Sequence, residues 1–481
     1  MAKNILIFSD GTGQAGGLRP DQRLSNIYKL YRAMRSGPDS PIAPNEQIAF
    51  YDAGLGSETE NAHHKSRLAR FISNSFDLAF GLRLTDNIID CYAFIIKHYE
   101  PGDHIYLFGF SRGAYTVRCV ASVMHLCGVP EQLGGGGALP KFGKKLRLIA
   151  REAVNKVYKH GSGKGRDDYR PERHELARRF RTKYGANNEH GAPNAAPYFI
   201  GTFDTVAALG SQTLVLLLSV VPIIAVVGLI YAASFVLPFE FPLKSLITVM
   251  AAIAIGLIVY ISRLLFLRFK WIKDFPNKGD FKFHFTKPSK QYYRQVLDPR
   301  VMYARQANAI DETRLSFTRV KWQIYPDNVP PERKEDEAEW FQQVWFAGNH
   351  SDIGGSYPED ESRLSDVSLN WMVEQLNSIE TPPLFNMERL KLYPDAKGMQ
   401  HDEVKAQADR KPKWLPSFLW MKWKSAPRKE ARGAPTHPSV YERFKANCVL
   451  QYDCVVPYRP ETLRLDKNFQ GFYGDLLREK K

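Results

Sequence analysis

The sequence predicts an α/β fold, a mostly parallel sheet with helices on both faces, interrupted by an apolar two-helix insertion. Three observations carry this. Short β-rich runs, "NILIFSDGT" (4–12), "HIYLFGFS" (104–111), "PYFIGTFDT" (197–205) and "VWFAGNHSD" (344–352), each end in small or polar residues. Helical periodicity stands between them, at 82–99 before the second run and at 112–128 after it. Finally, 25 uncharged residues (213–237) and 18 more (245–262) flank a short linker, "PFEFPLK". Near-continuous apolar strands alternating with helices indicate a parallel sheet covered on both faces. Ligands of such sheets sit beyond the carboxyl ends of the strands. There the chain places Asp10, Ser111, Asp204, and His350 with Asp352.

The two apolar stretches approach the roughly 20 residues that span a hydrocarbon core. They predict an antiparallel transmembrane hairpin. The tip carries one Lys and one Glu, whereas Arg263, Arg268, Lys270 and Lys273 follow the second stretch. The positive-inside rule then places the base and both flanking segments in the cytoplasm. The expected location is a membrane, with a bacterial inner membrane as the setting. The expected organisation is a first part of the α/β domain (1–210), the hairpin (211–270), a second part of that domain (271–400) and a basic, Trp-rich C-terminal segment (401–481) containing "WLPSFLWMKWK".

The formal net charge is +15, and two segments account for it: residues 141–184 with a balance of +10 and residues 405–432 with +7. No recognition motif accompanies this charge, so nucleic acid is not an expected partner. An anionic lipid surface is, since each basic residue near the headgroups contributes about 1 kcal/mol. Five cysteines without CxxC spacing predict reduced thiols and no zinc site. The start, "MAKNILIFSDGTG", has no long apolar stretch and predicts no signal peptide.

"GFSRG" (109–113) is a Gly-x-Ser-x-Gly pattern. It follows a strand and opens a helix, the context in which the serine occupies a strained turn and becomes a nucleophile. Small residues on both flanks let the chain fold back. The N–H of Arg112, at the helix N-terminus, points at a developing oxyanion, with the Gly11-Thr12 loop as the second donor. Serine needs a base, and the base an orienting acid, in the chain order Ser, acid, His. Two sets obey that order: Ser111, Asp204, His350, and Ser111, Asp352, His437. In the first reading Asp352 supports the site or caps a helix, and Asp10 is a further acid at a strand end.

At these residues the chain resembles a known family. It is similar to the α/β-hydrolase domain of type VI secretion phospholipase effectors and their uncharacterised relatives. The resemblance rests on "LIFSDGTG" with Asn26 downstream, "FYDAGLGS" (50–57), "GFSRGAYTVR" (109–118), "FDTV" (203–206), "ARQANAIDETRLSF" (304–317), "VWFAGNHSDIGGSY" (344–357), "LSDVSLNWM" (364–372) and "HPSVYERF" (437–444). It departs from the family pattern at Gly13 and Gln306. By position, the resemblance implies Ser111, Asp204 and His350 as the triad, and a lipid acyl ester as substrate. The expected activity is therefore serine-dependent hydrolysis through an acyl-enzyme, with no metal or organic cofactor. The alternatives are a membrane-tethered thioesterase or small-ester hydrolase, and a non-catalytic scaffold on the same fold. Acyl position, headgroup and protein partners are left open.

Overall fold

In the computed structural model, the described residues are 2–11, 13–14, 16, 23–53, 82–162, 168–206, 269–286, 296–322, 324, 337–411 and 423–474. The sheet runs through β1 (Asn4–Ser9), β2 (Gln47–Asp52), β3 (His104–Phe110), β4 (Phe199–Phe203), β7 (Tyr303–Ala309) and β8 (Phe341–Phe346), in the spatial order β8-β7-β4-β3-β1-β2. Every neighbouring pair is parallel. The order reverses between β1 and β3: the chain leaves β1 for the edge strand β2, then returns to the other side of β1. Ligands of open α/β sheets bind at such a reversal.

Alternation along the strands explains the two covered faces. Ile5, Ile7, Ile105, Leu107 and Ile200 point into one core, with Ile88, Ile95, Val120 and Met124 of helices α2 (Leu82–His98) and α3 (Arg112–Cys127). Leu6, Phe8, Tyr106, Phe108, Phe199 and Phe203 point into the other, against α1 (Asn26–Met34) and α6 (Arg363–Asn377). Each such side chain removed from water stabilises the fold by about 1.5–3 kcal/mol. Ser25 caps α1 by accepting the Tyr28 N–H. A third cluster, Trp345, Val440, Phe444, Tyr458 and Phe469, seats the C-terminal segment on the β8 edge. There Trp345 N–H donates to Pro435 O and His437 N–H to Trp345 O, so the outer strand's edge is covered at Trp345.

The expected transmembrane hairpin, and with it the membrane location, is corrected. Among the described residues no helix is long and apolar enough to cross a membrane. Most of the stretch to which the hairpin was assigned (211–270), namely residues 211–268, lies outside the described residues. Of the basic flank expected at its base, Arg263 and Arg268 lie outside the described residues, and Lys270 and Lys273 lie on strand β5 (Phe269–Lys273), paired antiparallel with β6 (Phe281–Phe285). Its residues alternate: Ile272 is buried and Lys270 Nζ donates to Asn155 O, whereas Trp271 and Lys273 face outward. A tally of positive charges does not register that period of two. The mixed α/β architecture holds.

Asp52, at the end of β2, accepts bonds from Ser9 Oγ (2.6 Å) and Asn87 Nδ2 (2.9 Å). Burial nevertheless pushes its carboxyl up to about 7 from the ordinary 3.8. The folded state therefore holds this proton more tightly than the unfolded chain, and stability falls as pH rises from near 4 to near 7. Asp52→Asn is expected to stabilise the protein at pH 8 by on the order of a few kcal/mol, and by less at pH 5. Thermal midpoints at the two pH values check this, and an equal gain at both would contradict it.

Candidate functional site

Ser111 sits between β3 and α3 with φ 58° and ψ −121°, a backbone region that L-residues rarely adopt. The two glycines around it follow from sterics. A Cβ on Gly113 would lie 1.9 Å from Ser9 O, and one on Gly109 would lie 2.6 Å from the Ala114 backbone. Only chain without side chains fits at both flanks, so the turn between them is tight and Ser111 is carried at its apex. Ser111 N–H donates to Phe203 O (3.1 Å), and Val206 N–H donates to Ser111 O (3.4 Å). Those partners bracket Asp204, so the serine turn and the acid's turn are stitched together.

Asp204 is fully buried at the end of β4, with φ 34°. Its Oδ2 bonds His350 Nδ1 at 2.5 Å, and its Oδ1 accepts the Ala309 N–H at 3.1 Å. Its guanidinium partner is Arg428, whose Nη1 reaches Oδ1 (2.6 Å) and whose Nη2 reaches Oδ2 (3.1 Å). Burial alone would raise the Asp204 carboxyl. The charge of Arg428, and then the bond to His350, outweigh it and hold the group well below the usual carboxylate range.

His350 opens helix α5 (His350–Gly354), capped by Asn349 through a reciprocal pair with Asp352. Its ring lies between Phe110 (4.7 Å between centroids) and Phe317 (4.9 Å). Gly354 makes room for Phe110, since a Cβ there would approach that ring to 1.9 Å. Burial pushes the imidazole below its ordinary 6.5, although Asp204 and Glu312 oppose this. The Nε2 atom is buried with no hydrogen-bond partner. With Nδ1 held by a carboxylate, Nε2 is the ring atom left to take a proton.

The second set is not brought together. Asp352 bonds His401 Nδ1 (2.7 Å) and accepts the His401 and Asn349 N–H groups. His401 Nε2 in turn faces Glu361 (3.1 Å), so both of its nitrogens are engaged. His437 caps α7 (Pro438–Lys445), bonds Ser439 and stacks on Phe346. Asp10 accepts from Ser25 Oγ (2.5 Å), Tyr51 OH (2.7 Å) and the Gly11 N–H (2.7 Å), and burial pushes it up to about 6. The Gly11 N–H is thus already engaged, and Thr12 lies outside the described residues. Arg112 opens α3, so its N–H belongs to the first turn, whose donors have no acceptor within the helix.

Sequence reasoning missed Arg428, His401 and Glu312. It noted Asn26 without a role. The Asn26 side chain donates to Ile353 O, Ser365 O and Ser368 Oγ, and Lys29 pairs with Asp366 (2.9 Å). This buried network ties α1 and α6 to the turn that carries His350. Among the described residues, one group has metal-ligand chemistry: His160, Glu172 and His284. Its donors are engaged with each other and with the Gly161 N–H, and Lys270 and Arg173 add positive charge beside it. Through these bonds the His160–Gly161 turn meets Glu172 of α4 (Arg170–Tyr184) on one side and His284 of β6 on the other.

The fold is thus a mixed α/β one with a parallel six-stranded sheet, and Ser111 stands on a positive-φ strand-to-helix turn beside the buried Asp204–His350 pair. Residues 3–375 match the family described as "T6SS, Phospholipase effector Tle1-like, catalytic domain", and the chain belongs to that family. Membership supports a lipase or phospholipase function. Over 130 residues the chain is 38% identical to the uncharacterized protein YEL023C of Saccharomyces cerevisiae, which covers 26% of this chain and 18% of that protein. A solved structure of an uncharacterized protein from Pseudomonas aeruginosa is similar at 14% identity and a TM-score of 0.36, over 81% of this chain and 47% of that one. The Tle1 effector bound to the VgrG spike of the type 6 secretion system is similar at 16% identity and a TM-score of 0.25, over 76% of this chain and 53% of that one. The chain thus spans under a fifth of the curated relative and about half of each solved chain.

Proposed function

We propose that the chain is a serine esterase that hydrolyses acyl esters of lipids, acting as a phospholipase through an acyl-enzyme. The observation that carries the reading is His350: Nδ1 held by Asp204, Nε2 without a partner, and the ring against Phe110, the residue next to Ser111. His350 Nε2 removes the Ser111 proton as Oγ attacks the ester carbonyl. Asp204 keeps the proton on Nδ1 and stabilises the imidazolium that forms. The Arg112 N–H and the α3 N-terminus stabilise the oxyanion. The imidazolium returns its proton to the leaving alcohol. A water then gives its proton to Nε2 and attacks the acyl-enzyme, and the imidazolium returns that proton to Ser111 Oγ as the fatty acid leaves.

Purified protein incubated with mixed phospholipids is expected to release free fatty acid and the matching lysophospholipid, identified by mass. A fluorophosphonate probe is expected to label Ser111. Labelling without lipid products, with turnover of thioesters or short esters, would replace the lipid reading by the small-ester one. Absence of labelling on folded protein would leave a scaffold.

A further inference from the structure

Arg428 lies beyond residue 375, outside the part of the chain that matches the family, yet it makes the closest charged contact to the buried acid apart from His350. Its fork spans both Asp204 oxygens. The same guanidinium donates to Ala309 O (3.2 Å) and Phe317 O (2.9 Å). Its segment is itself anchored: Ala426 N–H donates to Thr313 O (2.8 Å) and Leu315 N–H to Lys424 O (3.0 Å). Arg428 thus joins the C-terminal segment, the turn after β4 and the loop after β7 at one carboxylate.

We infer that Arg428 is a positioning residue: its two-pronged grip on Asp204 fixes the carboxylate against His350 Nδ1 and sets the basicity of His350. The inference rests on the triad reading above. A planar guanidinium matches both carboxylate oxygens at once, so it fixes rotation as well as distance. It also shares the charge of Asp204. A carboxylate with one partner holds an imidazolium more strongly than a carboxylate that also faces a permanent cation. Around His350 the other charged groups are Glu312, whose Oε2 accepts the His350 N–H (3.3 Å), and Arg314, paired with Glu312 (2.6 Å). Arg319 faces Asp204 from the strand side. Glu312 raises the imidazole and Arg314 lowers it. Arg428 is the cation that remains in direct contact with the acid.

The sign follows. Burial pushes the His350 imidazole below its ordinary 6.5, so the acid limb of kcat/KM is expected below that value, and the Arg428 fork, by sharing the Asp204 charge, acts in the same direction. Removing the cation leaves the Asp204 charge directed at His350 and raises its pKa. In Arg428→Met the acid limb is therefore expected to move up by about one pH unit. Arg428→Lys keeps the charge but loses the fork. It is expected to leave the limb within a few tenths of a unit, while kcat falls by about tenfold through looser orientation, with KM little changed. A merely structural role for Arg428 would lower activity at all pH values without moving the limb.

Both variants are measured beside the wild type and Ser111→Ala, each checked by its thermal midpoint, on the ester that the wild type turns over. An unmoved limb in folded Arg428→Met overturns the inference. Should that variant not fold, wild-type kcat in Arg428→Lys overturns it instead, and a tenfold loss supports it. If Ser111→Ala keeps wild-type turnover, the triad reading itself fails, which separates the two outcomes.

Discussion

Ser111→Ala is expected to lower ester hydrolysis by at least about a thousandfold while the protein stays folded. The change removes one oxygen and leaves the backbone bonds to Phe203 and Val206, which hold the turn. Alanine meets the same strain at φ 58° as serine does, so no new backbone cost arises. Loss of activity with an unchanged thermal midpoint then reports the chemistry of Oγ alone. Turnover near that of the wild type in purified, folded Ser111→Ala would end the nucleophile reading.

His350→Ala and Asp204→Asn are expected to approach the same defect, because base, acid and nucleophile act as one unit. The two substitutions differ in stability. His350→Ala empties a space between Phe110 and Phe317 and leaves the Asp204–Arg428 pair intact. Asp204→Asn leaves the buried Arg428 guanidinium without its carboxylate, and breaking such a pair costs about 3–5 kcal/mol. The informative variant of the acid is therefore Asp204→Asn combined with Arg428→Met, which removes both charges. Asp352→Asn and His437→Ala, which touch the other acid and histidine, are expected to cost much less. Steady-state rates with thermal midpoints compare them. Larger losses for Asp352→Asn and His437→Ala than for His350→Ala would reassign the base.

The parts of this site legible in the sequence are those fixed by short-range sterics. Gly109 is glycine because the Ala114 backbone, five residues on, leaves no space for a Cβ; Gly113 answers instead to Ser9 of the adjacent strand, and only the Gly-x-Ser-x-Gly spacing showed it in the sequence. Asp204 and His350 were legible as polar residues ending apolar runs, since a parallel sheet delivers those ends to one edge. Choosing between His350 and His437 needed more. His437 also stands beside a strand, but its ring caps a helix rather than facing Asp352. Arg428 was illegible. It is one of nine cations between 405 and 432, and nothing local distinguishes it from those that stay in solvent. Its selection depends on where Ala309 and Phe317 place their carbonyls, which only the tertiary fold decides. Asn26 was visible only through the family resemblance, and its acceptors lie 327 residues and more away along the chain.

That separation also has a temporal side. Asp204 and His350 are 146 residues apart, and Asp204 and Arg428 are 224 apart. A ribosome adds about 5–20 residues per second, so Asp204 precedes Arg428 by roughly 10 to 45 s during synthesis. Through that interval the nascent chain carries the elbow, and later the histidine, but not the cation that clasps the acid. On the proposed triad, the clamped form of the site is therefore a late product of translation, and a chain halted between 350 and 428 holds Ser111, Asp204 and His350 without the guanidinium that grips the acid.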